Sequence, residues 1–401
     1  MKKNKGFTLI ELLAVIVILA IIALISTPII IGVIDKARKG AFEDSAYGVV
    51  DAAKLYFTSK LADTNSFSYT EIDFSGDMKD FKLGGEKPYG GSLIIDSDGK
   101  QALAIYDKDH KWCAVKNFEE EKIRIIQNYT KCDKDIAENL IINGYGEYGD
   151  NTNFSTFTYV GGEKAFSVTS NGSQILYSDA LIPIDANDKY ELSVEVKTSN
   201  TATRYYMGIL EEDIDKNWIL ASSICYMDDT LTELSSDLKD GDTIVHLNDL
   251  SRWVTDVVNQ EYPGISKGFI FWNYKNSTGY LYPSETYSRN VWTSLFELPS
   301  INKSTNTITL NNPWDHGTIK AGTKVSQSNS GNTYNYGLIQ NKNLTTSYQT
   351  FKNTLSEYGG SPAIYNKFRH GTKYIQFLTI DNDANMANTT TTYKNIVLKK
   401  I

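Results

Sequence analysis

The chain has 401 residues and a net charge of −8, a length that fits two globular units behind an anchor better than one domain. Its composition is that of a folded protein, which excludes wholesale disorder, and no basic stripe lies outside the first residues, so no nucleic acid is expected as a partner. Three cysteines without a C-x-x-C pair and four scattered histidines leave a zinc site unsupported.

The chain opens with a short basic segment, Met1 to Gly6, carrying Lys2, Lys3 and Lys5. Phe7-Thr8-Leu9-Ile10-Glu11 follows, and then an unbroken apolar run from Leu12 to Ile25. Ser26, Thr27 and Pro28 interrupt it before it resumes to Ile34. As a helix, residues 7–34 would be about 42 Å long, enough to span a bilayer. The lysines would hold the leader on the cytoplasmic side. An ordinary secretory signal has a shorter apolar region that follows its charges directly and ends at a small-residue cleavage site. Here a carboxylate, Glu11, sits inside the segment, where such a group is costly by about 2.5–3.5 kcal/mol at a helix centre. A plain anchor has no need of it.

At Lys5-Gly6-Phe7-Thr8-Leu9-Ile10-Glu11 the sequence resembles the type IV pilin and pseudopilin family, whose processing motif is a basic leader ending in Gly, then Phe-Thr-Leu-Ile-Glu. The resemblance covers roughly residues 1–60. It implies cleavage between Gly6 and Phe7 by a prepilin peptidase, N-methylation of Phe7, and pairing of Glu11 with the N-terminal amine of a neighbouring pilin subunit during assembly. It also implies that Pro28 kinks or melts the helix, in line with the cost of an interior proline. The physical logic agrees: amine and carboxylate would each be expensive in an apolar bundle, and pairing neutralises both. The implied location is a single-pass membrane protein that later enters an extracellular pilus, or fimbrium.

Beyond Ile34 the helix is expected to continue amphipathically to about Ser59, with Ala37, Ala41, Phe42, Ala46, Val49, Val50, Ala53, Leu55, Tyr56 and Phe57 at roughly helical spacing. A Gly-rich loop then leads to three strand-like runs, Ser92–Ile95, Gln101–Tyr106 and Lys111–Val115, read as an antiparallel meander. The resemblance implies that the long helix packs on this sheet, giving an α+β pilin domain over residues 35–135. Cys113 and Cys132 lie close in sequence. Outside the cytoplasm they would close a loop worth roughly 3 kcal/mol, and this pairing is preferred to two reduced, half-buried thiols. Cys225 is left over as a small buried hydrophobe.

From residue 139 to 401 the sequence changes to short strand-like runs with turn signals between them, among them Lys189–Lys197, Tyr205–Leu210, Lys373–Ile380 and Tyr393–Lys399. Their regularity predicts an all-β sandwich. The opening Asn139-Leu140-Ile141, with Asn143, Gly144 and Glu147, resembles the jelly-roll sandwiches of carbohydrate-binding modules and related galactose-binding-like domains. Gly146 stands where those domains carry phenylalanine. Residues of about 228–335 read as an inserted β-rich lobe, parts of which, such as Thr230–Leu234 and Trp253, resemble a segment of some phage-tail and surface proteins.

Aromatic faces stack on sugar rings, so Trp272, Tyr274, Trp292 and Trp314 of the lobe are the candidate carbohydrate contacts, against the alternative that both faces of Phe269–Tyr274 are buried. The loop holding Asp381 and Asp383 is rich in oxygen ligands suited to calcium. Related sandwiches join first and last strands with a structural calcium, which adds Glu147 and Asp150 to the candidate set; a solvated turn is the alternative. No nucleophile elbow, P-loop or dinucleotide fingerprint is present, and no enzyme activity is expected. The resulting reading is a minor type IV pilin, in the pilus or at its tip, presenting an adhesive β-domain for a glycan or host-surface ligand. The rivals are a pseudopilin of a secretion or DNA-uptake system with a structural head, and a filament-displayed glycan- or peptide-degrading enzyme.

Overall fold

The computed structural model describes residues 9–76, 78, 80–219, 226–227, 229–256, 267–272, 290–292, 295–328, 334–359 and 366–401. It divides into two compact units, Met1–Ala137 and Glu138–Ile401.

In the first unit α1 runs Leu9–Thr64 without a break. Pro28 does not end it. The hydroxyl of Thr27 donates to the Ala23 carbonyl at 2.6 Å, and that of Ser26 donates to the Ile22 carbonyl. The helix stops where Asn65 turns left-handed at φ 55° and its N–H caps the Leu61 carbonyl at 2.9 Å, a short polar residue tolerating that conformation. Ala46, Val49, Val50, Ala52 and Ala53 form the buried stripe. Small side chains there let the helix approach the sheet closely.

That sheet has five antiparallel strands in sequential order: β1 (Thr70–Asp73), β2 (Gly90–Ile95), β3 (Gln101–Tyr106), β4 (Trp112–Lys116) and β5 (Arg124–Gln127). The core joins the helix stripe to Phe74, Leu93, Ile95, Leu103 and Ile105. β1 and β5 extend the expected three-stranded meander on both edges. The disulfide Cys113–Cys132, with Cα atoms 5.9 Å apart, ties β4 to the chain beyond β5. Cys225 lies outside the described residues. A single turn, α2 (Lys134–Glu138), follows.

The second unit is β-rich. Its strands before the lobe are β6 (Thr158–Val160), β7 (Ala165–Ser170), β8 (Gln174–Tyr177), β9 (Ile182–Pro183), β10 (Tyr190–Thr198) and β11 (Arg204–Glu212). The lobe contributes β12 (Thr232–Glu233), β13 (Ile244–His246), β14 (Phe269–Phe271), β15 (Asn290–Trp292), β16 (Ile301–Asn302), β17 (Thr307–Thr309) and β18 (Lys324–Gln327). After it come β19 (Asn335–Asn343), β20 (Gln349–Leu355), β21 (Tyr358–Gly359), β22 (Phe368–Arg369), β23 (Tyr374–Asp381) and β24 (Thr389–Lys400).

One sheet has the order β20-β10-β24-β7-β6 and the other β19-β11-β23-β8, with β9 on β23. β10 alternates buried and half-buried residues along its whole length, as a strand with one core face must. Tyr190, Leu192, Val194 and Val196 of β10 share one core with Tyr205, Met207 and Ile209 of β11 and with Phe377 of β23. The two sheets therefore make a β-sandwich. The lobe falls between β11 and β19, with sheets β12-β18-β14-β15 and β13-β17-β16 and its own core around Trp253, Phe269, Phe271, Phe296 and Trp314.

Candidate functional site

Two places carried functional expectations, the N-terminal segment and the head. Gly6 and Phe7 lie outside the described residues. Glu11 occupies the first turn of α1 and is exposed. It is the only ionisable residue between Leu9 and Ile34. Around it the apolar side chains are exposed as well: Leu9 is 84% and Leu24 79% accessible. None of the most apolar stretch of the helix is buried within the chain. An apolar surface of this size is stable only when lipid or other apolar helices cover it. By length and composition the helix can cross a bilayer.

In the head, the opening motif has structural work. The Asn139 side-chain oxygen accepts the N–H groups of Ile141 and Leu398 at 3.1 and 3.0 Å, while its amide donates to the Ile396 carbonyl at 3.1 Å. A Cβ on Gly144 would stand 2.0 Å from that same carbonyl oxygen, so only glycine fits. The motif thus straps the start of the sandwich to β24, its last strand. Asn143 turns left-handed at φ 60° and donates to the carbonyls of Asp150 and Thr152.

The structure gives the four candidate calcium ligands separate surroundings. Glu147 is buried, and its two oxygens accept the backbone N–H groups of Asn143 and Tyr145 at 2.8 and 3.1 Å. Asp150 accepts from Thr152 N–H at 2.9 Å, and Asp383 pairs with Arg204 at 3.0 Å. Asp381 is fully buried and accepts the Thr391 hydroxyl at 2.8 Å. Among the described residues no group of three or more His, Cys, Asp or Glu side chains is placed to hold a metal ion. Glu147 and Asp150 organise backbone turns, and Asp383 an ion pair.

The carbohydrate-contact expectation is corrected at its two described side chains, Trp272 and Trp314. Trp272 is buried, with its indole N–H donating to the Ser326 hydroxyl at 2.9 Å and its ring edge-on to Tyr226 at 4.9 Å. Trp314 is buried in the lobe core, its indole N–H donating to the Gly317 carbonyl at 2.6 Å. Neither offers an open face to a sugar. Phe269, Ile270 and Phe271 are all fully buried, because β14 lies inside its sheet between β18 and β15 with packing on both faces. Tyr274 lies outside the described residues. Trp292 ends β15, and its side chain is likewise outside them.

Sequence reading missed two buried polar clusters. Glu211, fully buried on β11, pairs with Arg369 of β22 at 3.5 Å and accepts the Arg369 N–H at 2.7 Å. Burial pushes the Glu211 carboxyl above its usual range, and Arg369 opposes that shift. Around Asp381, the Tyr205 hydroxyl meets those of Thr198 and Thr391 at 2.6 and 3.1 Å. Desolvation raises the Asp381 carboxyl to about 6. The signal was faint: Asp381 is the last residue of β23, and Glu211 stands beside Glu212 at the end of β11.

Residues 1–27 match the family model of the prokaryotic N-terminal methylation motif. No curated protein matches the chain. The motif implies processing by a prepilin peptidase and assembly with other pilins. With the exposed apolar helix that continues from it, the motif supports a type IV pilin or pseudopilin.

Proposed function

We propose that the chain is a minor type IV pilin, anchored in the membrane by α1 and then carried into a surface pilus, with residues 138–401 as an adhesive head. The observation that carries the reading is the methylation motif on residues 1–27 running into a helix whose apolar side chains the chain itself leaves exposed. Filament assembly removes that exposure, because neighbouring helices replace lipid around it. Glu11 sets the register by pairing with the neighbour's methylated amine.

A minor position follows from size. A head of more than 260 residues repeated at every step would crowd a shaft, and a tip or sparse position relieves the crowding. An adhesive role is supported by a second unit with its own core and by the resemblance of residues 139–147 and β10 to carbohydrate-binding sandwiches. A glycan is the leading ligand, held weakly per site and strengthened when several pili act together. A binding role is proposed here, not a catalytic one.

The experiment is a glycan and matrix-protein array probed with purified pili from wild-type cells and from cells lacking this subunit. Loss of binding with the subunit supports the adhesin. Pili that contain the subunit and bind nothing reject it, and absence of the subunit from sheared pili favours a pseudopilin.

A further inference from the structure

The first ionisable residue after Glu11 is Asp35, so the apolar run of α1 ends there. The Asp35 carboxylate pairs with the Lys111 ammonium at 2.7 Å, bringing the start of β4 to the helix at that point. Just beyond, Arg38, Ala41, Phe42 and Ser45 form one stripe of α1 at i, i+3, i+4 and i+7, and this stripe walls a groove of about 480 Å³. The loop entering β2 supplies Lys87 and Tyr89 to the groove, and the β3–β4 turn supplies Lys108 and Asp109.

Position and chemistry point to one occupant. Arg38 lies four residues past Ile34, about 6 Å along the axis. The polar layer flanking a hydrocarbon core is roughly 5–7 Å deep on each side. With the apolar run in a bilayer, the near end of the groove stands among the headgroups. Its lining carries both signs of charge, Arg38, Lys87 and Lys108 against Glu86, Asp107 and Asp109. Guanidinium and ammonium groups take a phosphate, and the carboxylates take an amine. Tyr89 is 56% exposed and packs on Tyr106 and His110, whose rings stack at 4.7 Å. Exposed tyrosine over a packed aromatic base suits the membrane–water boundary.

We propose that this groove binds the zwitterionic headgroup of a membrane phospholipid, with phosphate at Arg38 and Lys108 and the amine at Asp109. The bound lipid orients the anchored subunit before it enters the filament. The proposal rests on α1 being a membrane anchor.

The test is native mass spectrometry of the full-length chain in detergent, titrated with dihexanoyl-phosphatidylethanolamine. Wild type is expected to retain a single lipid. Arg38→Ala with Lys108→Ala weakens retention about tenfold, the loss of a charge-assisted contact; Tyr89→Ala also weakens it, and the exposed control Lys82→Ala does not. Peptide mapping of the Cys113–Cys132 bond reports that each variant is folded. Equal retention by wild type and the double variant overturns the proposal. Equal competition by inorganic phosphate also overturns it, since that marks a general anion site, and so does equal binding of dihexanoyl-phosphatidylglycerol. Alkaline washing of membranes separates the two claims: a chain that washes off sinks the anchor and the groove together, whereas one that stays and binds no lipid sinks the groove alone.

Discussion

Asp381 shows how a buried carboxyl is tolerated in the head. It is fully buried, and desolvation lifts it from 3.8 to about 6 although Thr391 donates to it. The folded pKa is above the unfolded one, so the folded state holds the proton more tightly. The contribution is fully present below about pH 4 and is lost as pH rises through about 6. A shift of about two units corresponds to roughly 2–3 kcal/mol. Asp381→Asn should keep an acceptor for Thr391 and remove the ionisation, so the head of the variant should be at least as stable as wild type at pH 7.5. Denaturant midpoints of the purified protein between pH 4.5 and 7.5 check this; a wild-type head that gains stability with rising pH across that range contradicts it. Glu211 behaves differently because it has an ionic partner. Arg369→Ala leaves its carboxyl buried without its ionic partner, and should cost about 3–5 kcal/mol, measurable as a lowered unfolding midpoint against wild type.

Among the elements, α1 was the most legible, since the apolar run, Glu11 and the stripe at Ala46, Val49, Val50 and Ala53 are written at fixed spacing. Its end was read about five residues early, because Lys60 to Thr64 carry no clear apolar period and the stop is a backbone turn at Asn65. β1 and β5 escaped notice because they are four-residue edge strands with polar ends. For them, pairing with β2 and β4 outweighs weak intrinsic preference. The strand alternation of β10 was readable; the burial of β14 on both faces was not, because it depends on what the lobe packs behind it. The tryptophans follow from that burial. Trp314→Ala should cost about 3–5 kcal/mol of lobe stability, seen as a lower unfolding midpoint, rather than act on ligand binding in a fully folded head. A variant of unchanged stability would restore Trp314 as a surface contact. Cys132→Ser, by opening the Cys113 bridge, should cost about 2–4 kcal/mol in the first unit, checked by its denaturant midpoint under non-reducing conditions.

For the whole molecule, the proposed function makes an exposed apolar helix, a small α+β unit and a β-sandwich with a lobe the parts of one delivery scheme. Under the proposed function the helix is stable in lipid and in a bundle of its own kind, and Glu11 makes the second state specific. Glu11→Val should therefore still pellet with membranes yet be depleted from sheared pili, by immunoblot of both fractions; wild-type abundance in the pili would count against the pairing. The most direct test of the pilin assignment is the intact mass of this subunit isolated from filaments of its native host. The expected result is a chain that begins at Phe7 and carries one added methyl group. A mass that retains residues 1–6, or a chain cut elsewhere in the apolar run, contradicts it.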